Sequence, residues 1–157
     1  MKKIWAPWRS SFIYNRKRKG CIFCGAVNSK SLKGNFVIKK TKHSICMLNI
    51  YPYNNGHLLI APKRHKPSLT KLNKEELLDL MALLNDMNRL LDKVLKPEGY
   101  NMGINIGKVA GAGFPGHVHI HIVPRWNGDT NFMPTFSGTK VISESLESLY
   151  RRLTEHA

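Results

Sequence analysis

The sequence predicts an α+β domain in which short antiparallel strands carry one long helix and a C-terminal helix. Three observations point there. Apolar runs broken by turn residues follow one another through residues 35–62, the pattern of a meander. Residues 73–96 repeat apolar positions at intervals of three and four. The stretch Gly116-His117-Val118-His119-Ile120-His121-Ile122-Val123-Pro124-Arg125 alternates histidine with β-branched residues. A spacing of two keeps side chains on one face of a strand, so His117, His119 and His121 share a side and the aliphatic residues take the other. A helix would scatter the same imidazoles around its circumference.

Residues 1–20 read as a basic, aromatic arm. They hold seven of the 25 Lys and Arg and no acid, and Trp5, Trp8, Phe12 and Tyr14 are suited to pinning the arm to a body or a partner. Cys21-Ile22-Phe23-Cys24 then brings two thiols close together, which suits a metal, a free thiol pair or a redox pair. Strands are expected at Asn35–Ile38, Ser44–Ile50 and His57–Pro62, the last stopped by its proline and followed by Lys63-Arg64-His65. Asn73 and Glu76 form a capping-box pair at the start of the long helix. Leu77, Leu80, Met81, Leu84, Met87, Leu91 and Val94 are its expected core face, and Pro97 and Gly99 end it. A strand over Tyr100–Gly107 runs through the small-residue loop Lys108–Gly113 into the histidine strand. A tail with Gly128 and Pro134 leads to a final helix over residues 143–155.

Composition narrows the partners. At 157 residues the chain suits one domain with a sizeable core plus a short appendage. A formal net charge of +15 favours anionic ligands, either phosphorylated small molecules or nucleic acid. No apolar run is long enough for a membrane span or a secretory leader, and a C-x-x-C among three cysteines argues against a disulfide scaffold. A cytoplasmic protein is expected.

Three imidazoles in a row have two chemical uses: metal ligation, and nucleophilic or acid–base work near neutral pH. The glycine-rich loop just before them exposes backbone N–H groups and permits close approach, which suits a phosphate. Gly56-His57-x-x-x-x-Pro62-Lys63-Arg64-His65, followed by the His117/His119/His121 strand ending in Pro124-Arg125, resembles the histidine triad (HIT) family of nucleotide hydrolases and transferases. The resemblance covers roughly residues 21–126. The opening Trp5-Ala6-Pro7-Trp8-Arg9 and the tail from Arg125 to Pro134 are similar to a bacterial branch of phosphorylases acting on diadenosine tetraphosphate.

That resemblance implies a HIT-like fold with a five-stranded antiparallel sheet, a homodimer formed through the long helix and a sheet edge, and one nucleotide-binding catalytic domain over residues 21–157. It makes His119 the nucleophile at the α-phosphorus, with His121 and His57 stabilising charge on phosphate or leaving-group oxygens. Asn105, Gly111 and Gly113 would cradle the α-phosphate, Asn49 would meet the ribose, Ile22 and Phe23 would line the base pocket, and Trp126 would stack on a second nucleoside. Cys21, Cys24, His65 and His117 become the ligands of a structural zinc. The implied reaction is nucleotidyl transfer through a covalent nucleotidyl-histidine, with phosphorolysis of dinucleoside polyphosphates to ADP and ATP as the leading form. A hydrolase of the same compounds or of nucleoside phosphoramidates is the alternative, and a nucleotide-binding module with little turnover is the alternative of another class. Gly113-Phe114-Pro115-Gly116 lacks the side-chain donors that many hydrolase members carry before the triad, while His121 stands where many phosphorylases have glutamine. The chain mixes the two patterns, so phosphate and water both stay open as the second acceptor. A nucleic-acid contact through the basic arm is compatible with its charge but not favoured.

Overall fold

The computed structural model describes residues 20–130 and 140–157, so most of the expected N-terminal arm and the tail at 131–139 lie outside the described residues. In chain order the elements are α1 (Ile22–Asn28), β1 (Val37–Lys40), β2 (Ser44–Leu48), β3 (Leu58–Pro62), α2 (Lys74–Leu95), β4 (Gly99–Ile104), β5 (Ile120–Arg125) and α3 (Leu146–Thr154). The five strands form one antiparallel sheet in the order β1-β2-β3-β5-β4. This is the α+β architecture expected from the sequence.

Each face of the sheet has its own apolar cluster. Leu48, Leu58, Ile60, Ile120 and Ile122 pack against Leu80, Leu83, Leu84, Met87 and Leu91 of α2 and against Leu149 and Leu153 of α3. On the other face Phe23 and Ala26 of α1 meet Ile45, Met47, Leu59 and Ala61. Alternation along β5 therefore sends Ile120 and Ile122 to the main core and leaves His121 and Val123 on the α1 side. The helical stripe departs from expectation at one residue. Met81 is exposed beside Leu78, while Leu83 and Leu90 are buried. Met81 follows Leu80 directly, about 100° around the helix, and so falls off the buried stripe.

Helix α2 begins as expected. The Asn73 side chain accepts from the Glu76 N–H, and the Glu76 carboxylate accepts from the Asn73 N–H, both at 2.9 Å. The same carboxylate, buried at 3% exposure, also receives the Arg64 guanidinium, with Nη2 at 2.6 Å from Oε2. That pairing ties the segment after β3 to the start of α2. Segment 62–66 forms a ledge beneath the histidines.

The β5 ladder starts later than the alternation suggests. It begins at Ile120, paired with Ile60 on one side and Ile104 on the other, so His117 and His119 precede the paired strand. Pro62 has no N–H to extend the β3 ladder. In its place the Val118 N–H donates to the Lys66 carbonyl at 2.7 Å, which holds residues 117–119 against the ledge. No helix among the described residues is long and apolar enough to cross a membrane.

Candidate functional site

The first of two adjoining groups forms where α1 meets the ledge. Cys21 caps α1 and Cys24 lies one turn further on, so the C-x-x-C sits on a helix start rather than in a free turn. Cys21 Sγ is 3.2 Å from His117 Nδ1, Cys24 Sγ is 3.3 Å from His65 Nδ1, and all four ligand atoms lie within 4.8 Å of one another. His117 Nε2 is 2.8 Å from the Pro62 carbonyl, which can only accept, so Nε2 carries the proton and Nδ1 turns its lone pair to the thiols. Tetrahedral zinc with ordinary bond lengths puts sulfur and nitrogen ligands about 3.5 Å apart. The donor set and its spacing fit a metal. Burial and the neighbouring Cys21 push the Cys24 thiol above its ordinary range, a penalty that a bound cation would reverse.

The second group is a chain of imidazoles whose tautomers follow from their partners. The Tyr53 N–H donates to His57 Nδ1 at 3.0 Å, and the Asn49 amide lies 3.2 Å from the same nitrogen. His57 therefore holds its proton on Nε2, which faces His121 Nδ1 at 2.9 Å. His121 in turn holds its proton on Nε2, a buried donor with no partner among the described residues. His119 Nδ1 is 2.9 Å from the His117 carbonyl, so that nitrogen is protonated and Nε2 keeps the lone pair. Burial lowers all three rings below the ordinary 6.5, His57 to about 3 and His121 to about 4, with the adjoining imidazoles adding to the effect on those two. At neutral pH the group is uncharged, offering one nucleophilic nitrogen and, one ring away, one unused N–H. The His119 and His121 ring centres are 4.9 Å apart.

The remaining predicted positions divide. Phe23 is fully buried, with its ring centre 5.0 Å from that of His117 and 4.9 Å from that of His119. It forms a wall between the thiol group and the nucleophile, while Ile22 beside it is half-buried. Asn49 spends its side chain on His57 and on the Tyr51 N–H. Asn105 lies under Gly111, whose φ of +83° suits glycine, and the Gly111 N–H closes a turn onto the Lys108 carbonyl. Gly113 stays open, with nothing within 4 Å of where a Cβ would stand. Trp126 lies five residues beyond His121, roughly 16 Å along the strand, and its indole N–H donates to the Lys96 carbonyl. It is not brought to the imidazoles.

Tyr53 is the residue that sequence reasoning missed. Its ring stacks on His121 at 5.8 Å and 11° and lies 4.6 Å from His57, yet more than half of its surface is exposed. Its place in an otherwise ordinary turn, four residues before His57, was the one available signal.

Comparison with known proteins places this geometry. A family model described as "HIT domain" matches residues 31–128. Over 98% of its length the chain is 33% identical to an AP-4-A phosphorylase of Mycobacterium tuberculosis, covering 83% of that protein. It is 35% identical over 76% of its length to the asymmetrical bis(5'-nucleosyl)-tetraphosphatase of Schizosaccharomyces pombe, covering 62% of that protein. Its structure matches a Zn-bound histidine triad family protein from Mycobacterium smegmatis with a TM-score of 0.67 and 28% identity, covering 87% of this chain and 92% of the other.

Proposed function

This chain belongs to the HIT family, and on that premise we propose that it transfers nucleotidyl groups through His119, with phosphorolysis of diadenosine tetraphosphate as the leading reaction. The observation that carries the reading is the His119 ring. Its Nδ1–H is anchored on a backbone carbonyl, its Nε2 is free to attack, and a buried N–H donor waits on the next ring. Nε2 forms a bond to the α-phosphorus as the bridging P–O bond breaks. The departing ATP takes that electron pair, and the His121 N–H stabilises the oxygen where charge appears. Inorganic phosphate then attacks the same phosphorus, the P–N bond breaks, the pair returns to Nε2 and ADP leaves. His57 holds His121 in the donating tautomer throughout. Asn105 and Gly113 are assigned to the α-phosphate, and Ile22 to the base.

Cys21, Cys24, His65 and His117 would hold the zinc. With four protein ligands it would have no open position and would supply structure by joining α1 to the ledge. The same reading makes residues 21–157 one catalytic domain and the molecule a homodimer. Leu78 and Met81 on α2 and Met102 on the edge strand β4, all exposed, support that arrangement.

Turnover of diadenosine tetraphosphate with and without inorganic phosphate tests the proposal. ADP plus ATP only when phosphate is present is the expected outcome, and AMP plus ATP would make water the acceptor. His119→Ala should abolish product formation and leave nucleotide affinity within a few-fold. Unchanged turnover in that variant refutes the mechanism.

A further inference from the structure

Beyond His121 the same face of β5 continues through Val123 to Arg125, and it opens into a cavity of about 490 Å3 bordered by Tyr53, Asn101, Val123, Arg125, Thr130 and Lys140. We propose that this cavity takes the departing half of a dinucleoside polyphosphate, the nucleoside triphosphate released when His119 bonds to the α-phosphorus. The proposal rests on the reading of the site given above.

Continuity is the first support. Tyr53, whose ring stacks on His121, also borders the cavity, so one residue adjoins both the imidazole and the cavity. Register is the second. Gly103 pairs with His121 and Asn101 with Val123, and a Cβ at Gly103 would meet nothing within 4 Å. Gly103 on β4 thus leaves open space beside the imidazole that donates to the leaving oxygen. Arg125 stands roughly 13 Å along the strand from His121, a distance suited to a phosphate chain rather than to the α-phosphate itself.

Charge is the third support. Arg125 grips Asp129 through Nε at 2.5 Å and Nη2 at 2.9 Å, and Lys140 donates to the Asp129 carbonyl. These cations hold the Asp129 carboxyl well below its usual range, at about 2, so it stays charged. Two cations against one carboxylate leave the cavity net positive. Asp129 is nearly buried while the Arg125 side chain is 44% exposed, so an entering anion meets the guanidinium before the carboxylate. Arg125 Nη1 also donates to Asn101 Oδ1 at 2.6 Å, so the cation is oriented from both sides and two of its five N–H groups are left for an anion. A mononucleotide held at His119 would leave this space unused, whereas a dinucleoside tetraphosphate would fill it, which makes the cavity a determinant of leaving-group size.

Two variants test this, each confirmed as folded by circular dichroism. Thr130→Trp fills the cavity, and Lys140→Gln removes one cation without touching the imidazoles. The KM for diadenosine tetraphosphate should rise about tenfold in each, while the inhibition constant of AMP stays within twofold and kcat changes little. Equal shifts for both ligands, or no shift for either, overturn the proposal alone. A wild-type chain that leaves both ligands unbound overturns the nucleotidyl-transfer reading and the proposal with it.

Discussion

Lowering the pH from 7 to 5 should cost the wild-type protein about 2 kcal/mol of stability through His57 alone. His57 is fully buried, and burial with two imidazole neighbours brings its folded pKa to about 3. In the unfolded chain the same ring titrates near 6.5. Between those values the unfolded state binds a proton that the folded state refuses, so stability is full above about pH 6.5 and declines as pH falls toward 3. Some 1.5 pH units of that window lie above pH 5, at about 1.4 kcal/mol per unit. Urea denaturation of the wild type and of His57→Gln at pH 7, 6 and 5 measures the effect. The variant is less stable at every pH, because the Tyr53 N–H loses its acceptor, but its loss on acidification should be smaller than that of the wild type by about 2 kcal/mol. Protonation of the thiol–histidine group is common to both proteins and cancels in the difference. Equal acid losses would show that His57 is not held neutral by burial, and the tautomer assignment of His121 would fall with it.

Three further outcomes follow from the geometry. Gly56→Ala should cost about 1–3 kcal/mol in a urea melt, because φ is +77° and the new Cβ would stand 2.6 Å from Leu95 Cδ1 and 3.0 Å from Pro124 Cγ; an unchanged midpoint contradicts the described turn before β3. Glu76→Ala removes a cap acceptor and the Arg64 anchor and should cost about 1–2 kcal/mol, whereas Glu75→Ala nearby should be close to neutral, as thermal melts of the two would show. In a Cys21→Ser/Cys24→Ser double variant, zinc measured by atomic emission should drop to background and Tm should fall. Wild-type zinc content in that variant would remove the metal assignment.

The chain's local patterns already carried much of this protein. Helix α2 could be read from its capping pair and its three-and-four repeat, because both are short-range interactions along one backbone. The aliphatic reverse face of the histidine segment likewise announced a strand, and the order of the five strands, the long helix and the C-terminal helix came through with boundaries off by a few residues, while α1 carried no signal that the sequence reading used. Grouping the two cysteines with His65 and His117 needed the family resemblance, since 41 and 96 residues separate the closest pairs. Residue type and spacing cannot measure such distances.

Packing across the sheet decided the rest. Met81 left the core because its angular position, not its hydrophobicity, governs what it meets. Phe23 became a wall between two imidazoles, and Trp126 was drawn to the end of α2, both through contacts made by distant segments. Which ring nitrogen of each histidine holds the proton depends on the Pro62 and His117 carbonyls and the Tyr53 N–H, backbone groups whose direction exists only in the folded chain. The identity of the reactive residues is thus local information, while their protonation and aim are properties of the tertiary structure, because hydrogen bonding and desolvation act through space rather than along the chain.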